Sequence, residues 1–548
     1  MKKLLFLAIS AMMLFSSCEN EAYFELERPA QSPWLTIAEF DRAPIGLYYN
    51  VFNMGTYNDP FRSWMLYQNA VADDVSWINP GDSWGWFRDT QNTGKSFLDN
   101  VWKVYVPICS VNDALAFVAD NNGNPWPKMS ADDKTYNLDR IIGELYFIRG
   151  FCYYMLATTY CNAYVPGGAN DAKHIPLLTK VATDFNDASN PNIGTDGEVW
   201  AQIQADFEKA YSLLPERYIS GKMNVSYQAG RANKFAAAFM LARTHFAMGN
   251  YTKTAEYASV VIDQNGGDYD LSEDPIMAFN KSTMSRGKEV VFWDANYDLT
   301  FGKDMLLDGA YNHIRTNIVN SWSECNMDSS TLIRLGWLSN PKTGVNLPFN
   351  AAALRDKRFN QVMIIREPSG ASSQIATSPS NTLRSYVSTG AQQIYTSLFA
   401  NKVGRGGATA TSGIAIVSTN NAKRTNTPIL RLAEMYLTRS ICRFKAGNMQ
   451  GAADDLNVVR ARAWDATVAG VAYASSPNYV TASNITEQMI GDERLIEMYC
   501  EGDRINYLRG MKAPAIGPGE RKLPVVPYTD AGFVWKIPVT ESDLNFNL

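Results

Sequence analysis

From Tyr136 to Tyr160 apolar side chains return every three or four positions: Leu138, Ile141, Ile142, Leu145, Ile148, Cys152 and Met155 share one stripe. That spacing predicts an amphipathic helix. Phe147, Phe151 and Tyr154 widen the stripe, so the helix is expected to pack on two sides. A second run, 196–216, carries Val199, Ile203, Phe207, Ala210 and Leu214 on one face and stops at Pro215. Two further stretches resemble each other, 231–264 and 427–463. Each is a helix, a Gly-Asn break and a second helix. Aligning Gly249-Asn250 with Gly447-Asn448 sets Phe246 on Phe444, Ala255 on Ala453 and Val260-Val261 on Val458-Val459. Small residues such as Ala236–Ala238, Ala242 and Ala453 allow close helix approach. The pattern resembles a tetratricopeptide repeat, although the two copies are not contiguous. The fold expected is mainly α: a platform of tetratricopeptide-like helical pairs, mainly 98–265 and 427–510.

Between the copies the pattern changes. Residues 270–426 show no sustained helical period, and from Pro368 to Pro428 the chain is dense in Ser, Thr, Asn, Gly and Ala. Such stretches read as loops, which predicts a loop-rich binding lobe over 270–426. Six cysteines follow Cys18 with irregular spacing and no CxxC. Cys109, Cys152, Cys442 and Cys500 fall in apolar helical patterns and are expected to be buried thiols.

The amino terminus has its own pattern. Lys2 and Lys3 precede an apolar run, Leu4–Phe15, interrupted only by Ser10. This is a signal peptide over 1–17, too short to span a bilayer. It ends in Leu14-Phe15-Ser16-Ser17-Cys18, which resembles a bacterial lipobox, in which cleavage leaves an acylated cysteine first. Cys18 is therefore the expected lipidation site and 18–35 an extended, lipid-anchored arm. Glu19 and Glu21 resemble a surface-export signal of lipoproteins in Bacteroidetes. No later apolar run is expected to reach the length of a membrane span. The formal charge is −5, and −7 once Lys2 and Lys3 are removed. An acidic chain without a basic stripe does not point to nucleic acid.

Several segments match one family in order along the chain. Trp102, Tyr105, Ile108 and Asn112 fit its early helix; Glu144, Arg149 and Tyr153-Tyr154 fit the next. ILRLAEMYLTRSICRFKAGN and LNVVRARA fit its late pair. Glu493, Arg494, Glu497, Glu501, Gly502, Arg504, Leu508 and Arg509 fit the signature ER-x-x-E-x-x-x-E-G-x-R-x-x-x-L-R, and IPVTESDLNFNL fits its ending. The chain resembles the SusD/RagB outer-membrane lipoproteins of Bacteroidetes, over nearly all of 36–548. The resemblance implies a surface lipoprotein, facing outside, that binds a glycan and delivers it to a TonB-dependent SusC-like receptor. It implies no enzyme and no cofactor.

Catalytic signatures are missing. There is no H-E-x-x-H, and the spacing of His174, His245 and His313 suits no compact metal site. DTQNTGKS has Asp89 where a phosphate loop needs Gly, GRGGAT has Thr409 where a dinucleotide loop needs Gly, and Asp268 breaks the calcium-loop spacing. Carboxylate pairs for glycoside hydrolysis are set by distance in space and stay open. Glu493, Glu497, Glu501 and Arg494 lie at helical spacing and are expected to pair within their helix. The aromatics are the stronger lead, because rings stack on the apolar faces of sugars while polar side chains bond the edges. ADDVSWINPGDSWGWFRD gathers Asp74, Trp77, Trp84, Trp86 and Arg88 around Pro80, Gly81 and Gly85. In the resembling family this stretch belongs to the ligand site, and Tyr297, Trp322 and Trp337 come from the lobe facing it. A repeat scaffold that binds only protein and a lipid-anchored glycoside hydrolase are the rival readings.

Overall fold

The computed structural model describes residues 34–52, 60–77, 98–184, 187, 189–279, 281, 285–295, 325–327, 329–339, 346–365, 382–384, 386–387, 394–395, 398–400, 402, 426–515 and 525–538. The chain divides into two units, Met1–Arg42 and Ala43–Leu548. Within the first, Thr36 and Glu39 form a reciprocal capping box on the single turn Ile37–Phe40, and Trp34 meets Phe40 edge-on at 5.0 Å. The second unit carries the long helices.

Among the described residues its α-helices of eight residues or more are α1 (Arg42–Phe52), α2 (Pro60–Ala70), α3 (Tyr105–Asp120), α4 (Arg140–Tyr160), α5 (Asp196–Leu213), α6 (Lys234–Ala247), α7 (Tyr251–Asp263), α8 (Leu432–Lys445), α9 (Met449–Ala463), α10 (Glu487–Glu497) and α11 (Arg504–Met511). Short antiparallel ribbons join them: β1 (Val75–Trp77) with β5 (Cys325–Met327), β2 (Lys173–Pro176) with β3 (Ile193–Thr195), and β4 (Val290–Asp294) with β6 (Thr427–Arg431). The expected mainly helical class is what the structure shows.

The stripe on α4 is buried on both sides, between α3 and α5. The buried charged residues of α4 each meet a partner. Arg149 grips Asp206 of α5 with two bonds, 2.9 and 2.7 Å, and donates to Asn112 of α3 at 2.7 Å. Glu144 accepts from Arg140 (2.7 Å) and twice from Arg231 (2.7 Å). A buried charge without such partners would cost several kcal/mol, so these pairs set which helix faces which.

Helices α3 to α9 then pack in succession, each on the next, and α7 lies directly against α8. The two helical pairs, with 163 residues of sequence between Asp263 and Thr427, are therefore neighbours in space. The helical array is continuous, and the loop-rich lobe is an insertion into it. The two breaks have nearly the same geometry. Gly249 and Gly447 sit at φ +77° and +79°. Asn250 (φ −87°, ψ 76°) and Asn448 (φ −84°, ψ 74°) cap the following helix by accepting from Lys253 N and Gly451 N. The glycine is required because a left-handed residue with a Cβ is strained.

Two expectations need correction, and α1 and α2 lie where no helix was expected. Pro44, Gly46 and Pro60 interrupt their apolar period. Pro44 and Pro60 stand in first turns, where a missing N–H costs nothing. Cys109 is exposed, on the outer side of α3, whereas Cys152, Cys161, Cys442 and Cys500 are buried. Asp99–Asp120 does have the length and apolarity of a membrane span. Half of that stretch is buried inside the protein instead, through residues such as Val104, Ile108 and Val111.

The matched glycines give a paired test. A Cβ on Gly447 would touch nothing within 4 Å, but on Gly249 it would lie 2.7 Å from Pro166 Cγ. Gly447→Ala is expected to cost about 1 kcal/mol from backbone strain, and Gly249→Ala clearly more. Urea denaturation of both variants measures this; equal losses would contradict the contact. Site-resolved alkylation should likewise modify Cys109 well before the four buried thiols.

Candidate functional site

The inserted lobe leaves and rejoins the platform at one place. β4 and β6 pair there, with Thr427 opposite Asp294 and Arg431 opposite Val290. Both strands are almost wholly buried, and Pro428 is tolerated because the ribbon has only two strands. Beneath this neck lies a cluster of buried charges. Arg431 donates to Glu289 (2.6 Å), to Glu497 (2.9 Å), and with two nitrogens to Glu501 (2.8 and 2.6 Å). Arg462 bridges Glu289 (2.9 Å) and Glu497 (2.5 Å). The lobe contributes Arg358, which reaches Glu497 at 3.1 Å and Glu493 at 2.6 Å, and Lys402, which bonds the Glu497 carbonyl at 2.9 Å and pairs with Glu501.

These partners differ from those expected. Glu493, Glu497 and Glu501 do not pair along their own helix, because α10 ends at Glu497 and the chain turns through Cys500 (φ +60°) and Gly502 (φ +74°). Arg494 bonds Asp503 (2.8 and 2.7 Å) and Glu434 of α8 (3.3 Å). Every carboxylate faces inward to a cation from another element. The signature is structural in the sense anticipated, but its pairs are long-range.

Burial by itself would raise the Glu497 carboxyl. The charges of Arg462, Arg431, Arg358 and Lys402 outweigh it and hold the group well below its ordinary value of 4.5. A depressed carboxyl stabilises the fold above its unfolded pKa, and that contribution is lost as pH falls through the folded value. Glu497→Gln should therefore lose about 3–5 kcal/mol at pH 7 and should show a weaker further loss below pH 4.5. Chemical denaturation at several pH values checks both; an unchanged acid limb would remove Glu497 from the cluster's role.

The residues expected at a ligand site fall in three groups. Trp84, Trp86, Arg88, Tyr297 and Trp322 lie outside the described residues. Trp77 ends β1, opposite Cys325 at the start of β5. The antiparallel register also sets Val75 opposite Met327. Asp74 is buried just before this ribbon, next to Asp73, which binds Arg504 of α11 at 2.6 and 3.0 Å. That anchors the ribbon's base to the platform. Trp337 sits elsewhere: it is 2% exposed, meets Phe359 edge-on at 5.7 Å, and borders a separate cavity of 370 Å³.

One cluster was not legible from spacing. Cys161, His174 and Asp196 offer ligand atoms all within 4.8 Å of one another, contrary to the expectation that the histidines suit no compact set. The three come from the end of α4, from β2 and from the first turn of α5, which only folding brings together. Asp196 bonds His174 Nδ1 at 2.8 Å and accepts from Asn162 N at 3.2 Å. Burial pushes the Cys161 thiol well above its ordinary value, so it is a thiol bonded to Asp196 rather than a nucleophile.

Comparison with known families is direct. A family model described as starch-binding and associating with the outer membrane (SusD-like) matches residues 47–246, and the model of the SusD family (SusD/RagB) matches residues 242–509. The chain belongs to the SusD/RagB family. Among solved structures, a SusD superfamily protein from Bacteroides thetaiotaomicron is 20% identical with a TM-score of 0.67, over 94% of this chain and 99% of that one. A SusD-like carbohydrate binding protein from Bacteroides vulgatus is 16% identical, TM-score 0.62, over 94% and 97%. A laminarin binding SusD-like protein is 18% identical, TM-score 0.62, over 93% and 97%. At these identities the likeness is one of fold. No curated protein matches the chain.

Proposed function

We propose that this SusD-family protein captures an oligosaccharide and delivers it, without catalysis, to a TonB-dependent SusC-like transporter. Lipid on Cys18 tethers it to the outer membrane, facing outside. The observation that carries the binding reading is the β1–β5 ribbon. It pairs Trp77 with Cys325 on a base held by Asp73 and Arg504, and the sequence that follows Trp77 carries Trp84, Trp86 and Arg88. Family membership and the carbohydrate-binding and laminarin-binding neighbours support the same reading.

Glycan-array screening of the mature protein selects the ligand. An aromatic contact contributes about 0.5–1.5 kcal/mol beyond area burial. Trp84→Ala or Trp86→Ala should then weaken calorimetric affinity several-fold, and the double variant more. Thermal melts run alongside separate a ligand role from a core role: lost affinity with an unchanged melt supports the site, and wild-type affinity in the double variant removes it. Cys18→Ala should move the protein out of the membrane fraction; a variant still embedded, with no lipid on the wild type by mass spectrometry, defeats the anchor.

A further inference from the structure

The 370 Å³ cavity lies between lobe residues around Arg334–Arg358 and the platform residues that follow α9. Its wall carries three rings in a row. The Trp464 and Tyr473 centroids are 5.5 Å apart, and those of Tyr473 and Tyr479 are 5.6 Å apart. The first two rings are fixed: Trp464 Nε1 donates to Val471 O at 2.8 Å and the Tyr473 hydroxyl to Asn457 Oδ1 at 2.7 Å. Tyr479 is 37% exposed and offers its ring to whatever enters.

The charges on the wall are unequal in their commitments. Arg358 is held by Asp356 and Glu493, Arg460 by Glu493, and Arg334 pairs with Asp492. Arg355 differs. Among the described residues no carboxylate pairs with it. Its guanidinium lies over the Trp464 ring at 5.0 Å. The Asn478 side-chain carbonyl, in the amide orientation its neighbours require, accepts from Nη2 at 2.5 Å and from Nε at 3.3 Å. A guanidinium has five N–H donors in a planar fork matched to carboxylates, so Arg355 keeps donors in reserve. A half-buried cation with unused donors beside an aromatic row calls for an anion that also has an apolar face.

We propose that this cavity holds one uronate unit of an acidic glycan, its carboxylate on Arg355 and its apolar ring face on Tyr479. The proposal rests on the glycan-binding reading and gives it a second site with its own chemistry, apart from the β1–β5 ribbon. The cavity is at the small end of ligand pockets, which suits a single sugar unit.

The test is calorimetry on the full mature chain with trigalacturonate and with a glucuronate-containing disaccharide, each beside its carboxyl-reduced neutral counterpart. At least one uronate probe should bind roughly tenfold tighter than its neutral counterpart, as a charge-assisted bond implies. Arg355→Met should erase that preference, and Asn478→Asp should do the same by placing a carboxylate against Arg355. Tyr479→Ala should weaken acid and neutral probes alike. If both probe types bind equally, if no uronate binds, or if the preference survives both Arg355→Met and Asn478→Asp, the proposal is overturned. The two readings fail separately: neutral glycans bound without any acid preference sink the cavity alone, and a wild type that binds no glycan at all sinks both.

Discussion

The structure depends on the buried charges around Glu497. Arg358, Lys402, Arg431 and Arg462 meet Glu289, Glu497 and Glu501 where water is excluded. Each charge is costly to bury alone and tolerable only with its partners in place. Three of these residues belong to the inserted lobe and four to the platform. The lobe is therefore held at its neck by geometry-specific pairs rather than by apolar contact alone. Apolar packing tolerates sliding; a cation gripped by two or three carboxylates does not.

This explains how a long insertion can interrupt a helical array without breaking it. α7 and α8 pack as if the chain between them were short, because β4 and β6 bring its two ends together. The array then supplies rigidity, and the loops can carry recognition chemistry at little cost to the core. The β1–β5 ribbon repeats the device on a smaller scale, with Arg504 of α11 holding Asp73 at its base.

The proposed recognition chemistry is distributed accordingly. At the ribbon, aromatic residues dense in sequence start from a pinned base. At the cavity, Trp464 and Tyr473 come from platform segments, while Arg355 comes from the lobe next to the residue that anchors it, Arg358. A cavity wall built across the neck has its shape set by the same ion pairs that hold the lobe.

Much of the platform was legible in the sequence. The stripe on α4, the stop at Pro215 and the matched Gly-Asn breaks all rest on local backbone rules that hold wherever the helix lies. The family motifs were legible too. What tertiary structure alone decided are relations between distant residues. Spacing within one helix suggested that Glu493, Glu497 and Glu501 pair locally; the turn after Glu497 aimed them instead at Arg358, Arg431 and Lys402. Cys161, His174 and Asp196 carry no shared spacing, and Trp464, Tyr473 and Arg355 form no motif. Local periodicity specifies which face of an element is apolar. Which charges meet across that face is settled only when burial makes every unpaired one too costly to keep.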